Sequence, residues 1–236
     1  MKKALKIFRN YRAFRALPNR AIRHSYDAEG EDLEGMREVQ TSTYLYRGLV
    51  DKEQLDEKGL IPLDKYYDIS KFIGSFSGHK ALVTSRIIVP DKDIKELQFD
   101  IESLGEDGRG LVNSLNPTDI GEVASLAKAR GVPTAIVLQH ICANYVKSRQ
   151  IGLKYWVFGL HNEISPGYES LFSESMQRLG DRVQLGSIGD FFTPYLVELE
   201  GLHNDLARLA SSRIPTTRKM IASKCIDTIK VLEDDT

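Results

Sequence analysis

The sequence has few cysteines and no long apolar run, and both features restrict the class of protein. Its 236 residues include only two cysteines, Cys142 and Cys225. A small secreted domain held by disulfides needs more than this, so a reducing, cytoplasmic environment is the simplest expectation. Cys142 lies in an apolar helical pattern, which predicts a buried thiol rather than half of a disulfide. The absence of a run of about 18 apolar residues disfavours a membrane-spanning helix, and the absence of an apolar signal segment disfavours secretion.

The chain as a whole also has no excess of charge of one sign, because its 32 basic residues are balanced by 33 acidic residues. The formal net charge is -1, which gives no global attraction to nucleic acid. Histidine is sparse as well, and because no two of the five histidines are four residues apart, a zinc site is not expected. His140 and His161 have no serine or cysteine partner in a recognisable motif, so the pattern does not indicate a hydrolase triad.

The first 24 residues are an exception to this charge balance. They interleave basic and apolar residues and contain no acidic residue, whereas residues 27–38 are rich in acidic residues. The pattern predicts a basic helical segment over residues 1–40, in which residues 1–24 can dock on an acidic protein or make peripheral contact with an anionic membrane. The alternative is a solvated helix that packs through its apolar face. The basic residues of this segment are Lys2, Lys3, Lys6, Arg9, Arg12, Arg15, Arg20 and Arg23.

Residues 119–202 alternate between strand and helix signals. An apolar strand with one acidic residue, Glu122, precedes a helix whose apolar residues recur at helical spacing. A nearly all-apolar strand follows, as expected for a strand covered on both faces. The predicted elements are strands at 120–127, 155–160, 182–185 and 194–199, a helix over about 133–149, and a helix that opens at Ser165.

Before this stretch, the sequence predicts an antiparallel hairpin. Residues 71–77 and 81–89 have strand character, Gly78 and His79 form the turn, and Pro90 ends the second strand. Residues 91–117 are polar and rich in glycine and aspartate, which predicts a long connection. A final helix is predicted over residues 219–232.

A carboxylate on one strand and a tyrosine beyond the next suit the acylation of an amine. Glu122 is predicted to act as the general base, because an apolar strand desolvates the carboxylate and disfavours its charged form. The alternative for Glu122 is an ion pair with Arg86. Tyr168 is a candidate general acid toward a leaving thiolate, and its alternative is packing against Leu171 and Phe172.

The order of hairpin, strand, helix, strand, helix and strand resembles the GNAT acyltransferase fold. Within that group, the chain is most similar to the N-acyl amino acid synthases and the acyl-homoserine-lactone (autoinducer) synthases. The likeness covers residues 44–202. It rests on six short segments: Leu45-Tyr46-Arg47, Tyr67-Asp68, residues 84–88 around Arg86, residues 122–126, residues 152–156, and residues 194–200.

This resemblance implies an α/β GNAT fold, with a mixed, mostly antiparallel sheet flanked by helices, over residues 41–202. Residues 203–236 would then form a C-terminal helical extension. The resemblance also assigns Arg47, Asp68 and Arg86 to acceptor binding and Glu122 to catalysis. Surface salt bridges are the alternative for the arginines, and turn formation is the alternative for Asp68. Asp64 is a second loop carboxylate able to bind an acceptor amine.

The donor side of the predicted site lies at the end of the strand that carries Glu122. Four consecutive residues are expected to bind the thioester carbonyl and the pantetheine through backbone N–H groups: Ser125, Leu126, Ala127 and Lys128. Three aromatic residues are candidates for lining an acyl-chain tunnel, with plain core packing as the alternative: Phe72, Phe76 and Trp156.

Two departures from the family pattern bear on the substrates. The lactone synthases usually carry Glu-x-Ser-Arg on the fourth strand, whereas Val123, Ala124 and Ser125 follow Glu122 here, so homoserine lactone is a less expected acceptor. In CoA-dependent GNAT enzymes a Gly-rich loop binds the pyrophosphate. Residues 128–134 stand in its place with one glycine and one proline, which favours a carrier-protein donor.

The expected function is therefore transfer of a fatty acyl group from an acyl carrier protein, or from acyl-CoA, to the amino group of an amino acid or similar amine. The acyl-phosphopantetheine thioester is the donor substrate, and no tightly bound cofactor or metal is expected. An acidic carrier protein would suit the basic first 24 residues. The alternatives are a CoA-dependent acetyltransferase and a non-catalytic acyl-ligand sensor on the same fold.

Overall fold

The computed structural model describes residues 22–90, 104–162, 165–181, 183–185, 190–213 and 216–234, and every structural statement below refers to them. Eight strands in these residues form a single sheet. The strands are β1 (Arg23–Tyr26), β2 (Ser70–Ser77), β3 (Lys80–Ile88), β4 (Ile120–Lys128), β5 (Tyr155–His161), β6 (Met176–Arg178), β7 (Val183–Leu185) and β8 (Asp190–Glu198). Their order across the sheet is β1-β2-β3-β4-β5-β8-β6, and β7 also pairs with β8.

Six α-helices and two short 3-10 helices connect and cover the strands in the described ranges. The α-helices are α1 (Gly30–Arg47), α2 (Glu106–Ser114), α3 (Thr134–Gln150), α4 (Ser165–Glu169), α5 (Leu199–Ser211) and α6 (Thr217–Asp234), and the 3-10 helices are Lys52–Gln54 and Pro117–Asp119. None of these helices combines the length and the apolar character needed to cross a membrane.

The sheet is antiparallel except at its centre. Strands β1 to β4 pair antiparallel with their neighbours, β4 pairs parallel with β5, and β5 pairs antiparallel with β8. A parallel pair needs a crossover connection, which α3 supplies between β4 and β5. The predicted α/β class, with a mixed, mostly antiparallel sheet flanked by helices, is confirmed.

The two faces of the sheet bury separate apolar clusters. On one face, Ile73 and Ile87 pack in the same cluster as Ala143 of α3 and Ile229 of α6. On the other face, α1 covers a cluster that joins Met36 and Val39 to strand residues. Those strand residues are Phe76, Ala81 and Ala127. The helix α1 therefore covers part of the sheet face opposite α3, and Val112 of α2 packs on another part of that face with Ile120 and Val157.

The sequence also fixes where α1 stops. Gly48 adopts φ 62°, and the N–H groups of Gly48 and Leu49 donate to the carbonyls of Leu45 and Tyr44. A glycine in the left-handed region at this position is a common helix terminator. Acidic Glu31 and Asp32 in the first turn and Arg47 in the last turn complement the helix dipole. The last turn of α1, including Tyr44, is thereby held over the end of β4.

Helices run across both predicted domain boundaries, which themselves stay predictions. The predicted division after residue 40 falls inside α1, and Arg23 belongs to a strand of the sheet and pairs with Asp32 at 2.7 Å. The predicted division after residue 202 falls inside α5, and α6 contributes to the same core as α3. Residues 1–21, which hold most of the predicted basic segment, lie outside the described residues.

The predicted long connection over residues 91–117 is only partly correct. Residues 91–103 lie outside the described residues, but the remainder contains α2 and the start of a 3-10 helix. Composition concealed this helix, because Gly108 and Gly110 lie within it. The hairpin, the strand with Glu122, the long helix and the strand after it are confirmed to within two residues at each end.

Candidate active site

The two central strands separate after a short parallel contact. Strands β4 and β5 pair at Ile120 with Tyr155, Gly121 with Trp156, and Glu122 with Val157. Beyond Glu122, β4 continues to Lys128 beside β3, and β5 continues to His161 beside β8. A V-shaped opening, here called the splay, is therefore left between β4 and β5. Backbone polar groups along its two edges have no sheet partner across it and are available to a ligand.

Glu122 lies at the apex of the splay. It occupies the last residue pair between β4 and β5, and it is 4% exposed. In the antiparallel register with β3, Glu122 faces Ile88 and Ala124 faces Arg86. Because alternate residues share one face of a sheet, Glu122 and Arg86 lie on the same face as diagonal neighbours. The structure thus brings the predicted base and one predicted acceptor-binding arginine together.

A β-bulge interrupts β4 inside the splay. The pairing with β3 moves from Ala124 opposite Arg86 to Ala127 opposite Thr84, so Ser125 and Leu126 together oppose Ser85. Ser125 has φ 58°, in the left-handed region that non-glycine residues seldom adopt. An extra residue in one strand leaves backbone groups out of the ladder and re-aims them. The predicted donor-binding segment therefore has a local geometry suited to presenting N–H groups, which the sequence pattern did not reveal.

Tyr44 is a site residue that the sequence analysis missed. It projects from the last turn of α1, and its hydroxyl lies beside the side chains of Ser125 and Gln40. Burial raises the pKa of Tyr44, while Ser125 and the positive charge of Arg86 act in the opposite direction. The phenol is therefore protonated at neutral pH, next to the bulge. Its position directly before the segment Leu45-Tyr46-Arg47, on which the family likeness partly rests, was the available signal.

Arg86 holds a loop carboxylate over this part of the sheet. Its Nη1 and Nη2 donate to Asp64 Oδ1 and Oδ2 at 2.8 and 2.5 Å, and Arg86 itself is 6% exposed. Burial alone would raise the pKa of Asp64. The hydrogen bonds and positive charge of Arg86, together with a hydrogen bond from the Tyr66 N–H, instead lower the pKa of Asp64 below its usual value. The carboxylate brought to Arg86 is thus Asp64, whereas the predicted Asp68 is exposed in the same loop.

The three predicted tunnel aromatics lie in different environments. Phe76 is fully buried in the cluster under α1. Trp156 donates from Nε1 to Ser148 Oγ at 2.8 Å and packs in the core on the α3 side. Phe72 is partly buried and pairs in register with Arg86. Core packing is therefore favoured for Phe76 and Trp156, and Phe72 is the aromatic residue that lies beside the site.

Tyr168 lies in the core rather than beside Glu122. Its ring packs with Phe172 in the cluster formed by α3, α5 and α6. Burial raises the pKa of Tyr168 to about 12, with smaller contributions from Cys225 and Cys142. This environment favours the packing alternative over the general acid role. Both cysteines are free and buried, which confirms the predicted buried thiol at position 142.

The remaining predicted residues lie around the open end of the splay. Arg47 is exposed at the end of α1, and its positive charge acts to lower the pKa of Tyr44. Leu126 is 40% exposed, whereas Ala127 is buried beneath α1. Lys128 is exposed and donates from Nζ to the carbonyl of Val132 at 3.2 Å. No group of three or more potential metal-ligating His, Cys, Asp or Glu side chains occurs within the described ranges.

A buried polar network on the opposite face was not expected from the sequence. His140 is hydrogen bonded through Nδ1 to Ser75 Oγ and through Nε2 to Ser85 Oγ, both at 2.8 Å. Ser85 Oγ also donates to Asn144 Oδ1 at 2.9 Å, and Ser75 Oγ lies 2.9 Å from His24 Nδ1. Burial lowers the pKa of His140 to about 3. Because His140 is fully buried, this network joins α3 to the sheet and is closed to a substrate.

The arrangement of the sheet, with its central splay, defines the class of fold. No protein-family model matches the sequence, and no curated protein matches it. Solved structures do match in three dimensions, and they are GNAT-fold acyltransferases, so the chain has the GNAT acyltransferase fold. The predicted resemblance to N-acyl amino acid and autoinducer synthases is confirmed at the level of fold.

Three examples, each with a TM-score of at least 0.55, show the extent of the likeness. FeeM, an N-acyl amino acid synthase from uncultured soil microbes, has a TM-score of 0.60 at 11% identity, over 78% of this chain and 94% of FeeM. The acyl-homoserine-lactone synthase LasI has a TM-score of 0.55 at 13% identity, over 75% of this chain and 89% of LasI. The CoA-dependent lactone synthase BjaI, solved with SAM and isopentyl-CoA, has a TM-score of 0.56 at 14% identity, over 83% of this chain and 92% of BjaI.

Proposed function

We propose that this chain is an N-acyltransferase that moves a fatty acyl group from a thioester to the amino group of an amino acid or a similar amine. The observation that carries the proposal is the splay with the buried carboxylate of Glu122 at its apex. FeeM and LasI share the fold and are named as synthases of N-acyl amino acids and acyl-homoserine lactones. Fold alone does not assign activity, so the roles below are argued from the site.

The thioester is proposed to lie in the splay with its carbonyl oxygen near the bulge at Ser125. Backbone N–H groups aimed at a developing oxyanion stabilise the tetrahedral intermediate of acyl transfer. Glu122 takes one proton from the acceptor ammonium, the free amine attacks the carbonyl, and the C–N bond forms. The C–S bond then breaks, and the departing thiolate takes up the second proton of the amine, which leaves a neutral amide and a thiol. The phenol of Tyr44 donates a hydrogen bond to the departing sulfur. Direct attack within a ternary complex needs no covalent enzyme intermediate.

The acceptor is proposed to bind between Asp64 and the arginines. A bidentate pair with a nearly buried arginine fixes Asp64 in one orientation, with 37% of its side chain exposed. A fixed, ionised carboxylate suits an ammonium group, and the positive charges of Arg86 and Arg47 suit the carboxylate of an amino acid. The family-derived role of Asp68 remains a prediction that the same experiments test.

An acyl carrier protein is the proposed donor, with acyl-CoA as the alternative. Phosphate binding at a helix start relies on free N–H groups, and Pro133, which supplies none, stands at the N-cap of α3. In the preceding turn, Gly131 has φ 83° and is the single glycine of residues 128–134. A short phosphate-binding loop of this kind suits the one phosphate of a carrier-bound pantetheine better than the pyrophosphate of CoA.

Mass spectrometry of organic extracts from bacteria that express the chain tests this function. New N-acyl amino acids are expected with the intact protein and not with Glu122→Gln, and they would identify both substrates. Extracts that do not differ between cells with and without the folded protein would contradict an acyltransferase acting on host metabolites. They would favour the non-catalytic acyl-binding alternative.

A further inference from the structure

Two large apolar side chains are exposed next to the open end of the splay. Tyr46 is 81% exposed and Leu126 is 40% exposed. They lie on neighbouring elements, because Thr43 Oγ1 on α1 donates to the carbonyl of Lys128 at 3.2 Å, just beyond Leu126 on β4. Single exposed apolar residues are common, but aromatic residues and arginines are enriched in protein interfaces relative to the rest of the surface.

Cations surround this apolar pair. Arg47, Lys128 and Arg130 are exposed, and the guanidinium carbon of Arg130 lies 5.9 Å from the centroid of the Tyr46 ring. Among the residues that the structure describes, Lys128 donates to a carbonyl oxygen and Arg130 lies over this ring. Because the chain as a whole has a net charge of -1, the positive charge is a local property of this surface.

We propose that this docking surface, made of Tyr46, Arg47, Leu126, Lys128 and Arg130, binds an acidic acyl carrier protein. The proposal rests on the acyltransferase function above and adds where the donor protein docks. Complementary charge steers association and fixes orientation, and Tyr and Arg are enriched in protein interfaces. Docking here would place the carrier's pantetheine arm at Ser125, where it enters the splay.

Arg130 and Tyr46 are the residues to vary. Tyr46 has no role in the proposed chemistry, and Arg130 lies in the phosphate-binding loop but has no role at the reacting atoms. Arg130→Glu reverses one charge of the docking surface, and Tyr46→Ser removes its aromatic ring. Arg218→Glu on α6 is the matched control, because it reverses an exposed charge on a different helix. Affinity of the full chain for holo-acyl carrier protein is measured by calorimetry at two salt concentrations, and thermal unfolding verifies that each variant is folded.

Arg130→Glu is expected to weaken carrier binding at least fivefold and to reduce the salt dependence of that binding. Tyr46→Ser is expected to weaken carrier binding at least threefold, and Arg218→Glu is expected to leave carrier binding unchanged. Unchanged carrier affinity in folded Arg130→Glu would overturn the proposal. So would loss of binding to phosphatidylglycerol vesicles in that variant while carrier affinity persists, because the surface would then serve an anionic membrane.

Kinetics with two donors separate this proposal from the proposed function. Acyl-pantetheine lacks the carrier protein, so Tyr46→Ser is expected to raise KM for acyl carrier protein but to leave turnover of acyl-pantetheine unchanged. An equal loss with both donors would place Tyr46 in the site itself and contradict docking. If the intact chain turns over neither donor, yet carrier binding still responds to Arg130→Glu, then the acyltransferase function fails while the docking surface stands.

Discussion

Asp64 and Asp68 occupy one loop, yet it is Asp64 whose carboxylate meets both terminal nitrogens of Arg86. Asp64→Asn removes the charge proposed to bind the acceptor ammonium. We expect KM for the acceptor to rise about tenfold, equivalent to about 1.4 kcal/mol of binding energy, with KM for the donor unchanged. Asp68→Asn is the comparison in steady-state kinetics. A larger effect from Asp68→Asn would restore the family-derived assignment and contradict the one based on geometry.

Tyr44 and Tyr46 lie on the same turn of α1 and face opposite environments. Tyr44 is beside Ser125, whereas Tyr46 is 81% exposed. If the phenol of Tyr44 assists the departing sulfur, Tyr44→Phe lowers kcat by about 10²-fold, the lower end of the range for acid catalysis. Tyr46→Phe serves as the control and leaves turnover of acyl-pantetheine unchanged. Equal rates for Tyr44→Phe and the intact protein would remove Tyr44 from the mechanism.

At the scale of elements, the sequence predicted regular strands and helices well and irregular geometry poorly. The apolar runs around Glu122 and Trp156 predicted β4 and β5, because burial on both faces leaves a direct signature in composition. The three-pair contact, the bulge at Ser125 and the reach of Tyr44 depend on how elements pack over long sequence distances. Local patterns carry little signal for such contacts, which is why they indicated Tyr168 as the general acid and did not indicate Tyr44.

The helix α2 offers a test of element packing. A Cβ at Gly108 would lie 1.9 Å from the carbonyl oxygen of Leu179, whereas a Cβ at Gly110 would have no atom within 4 Å. Gly108→Ala is therefore expected to lower the free energy of unfolding by about 3 kcal/mol, the upper end for overpacking. Gly110→Ala is expected to raise it by about 0.5–1 kcal/mol, because alanine favours the helix. Urea unfolding measures both, and equal values would contradict the packing of α2 on Leu179.

At the scale of the whole molecule, the buried histidine network links stability to pH. His140 has an ordinary pKa of 6.5 when unfolded, and burial lowers its pKa to about 3 in the fold, so between these values the unfolded state binds more protons. The contribution of His140 to the free energy of unfolding is therefore fully present above pH 6.5. It falls as the pH drops below that value, by up to about 1.4 kcal/mol per pH unit for one histidine. Burial also lowers the pKa of His24 to about 4, which adds to the slope.

Urea unfolding between pH 7 and 5 measures this slope, in a range above the ordinary pKa values of aspartate and glutamate. His140→Gln is expected to be less stable at pH 7, because the hydrogen bonds to Ser75 and Ser85 change. The free energy of unfolding of this variant is also expected to depend less steeply on pH. A slope identical to that of the intact protein would show that His140 does not titrate as its burial requires.

Glu122 at the apex of the splay is proposed as the base for acyl transfer, and every other proposed role in the reaction depends on it. The most direct measurement is thiol release from an acyl thioester by the purified chain, in the presence of the acceptor identified from the extracts. Glu122→Gln keeps the shape of the side chain and removes the base, so kcat/KM is expected to fall about 10²–10⁴-fold. Exposed Glu198→Gln on β8 is the matched control and is expected to retain full activity. Full activity in folded Glu122→Gln would contradict the account.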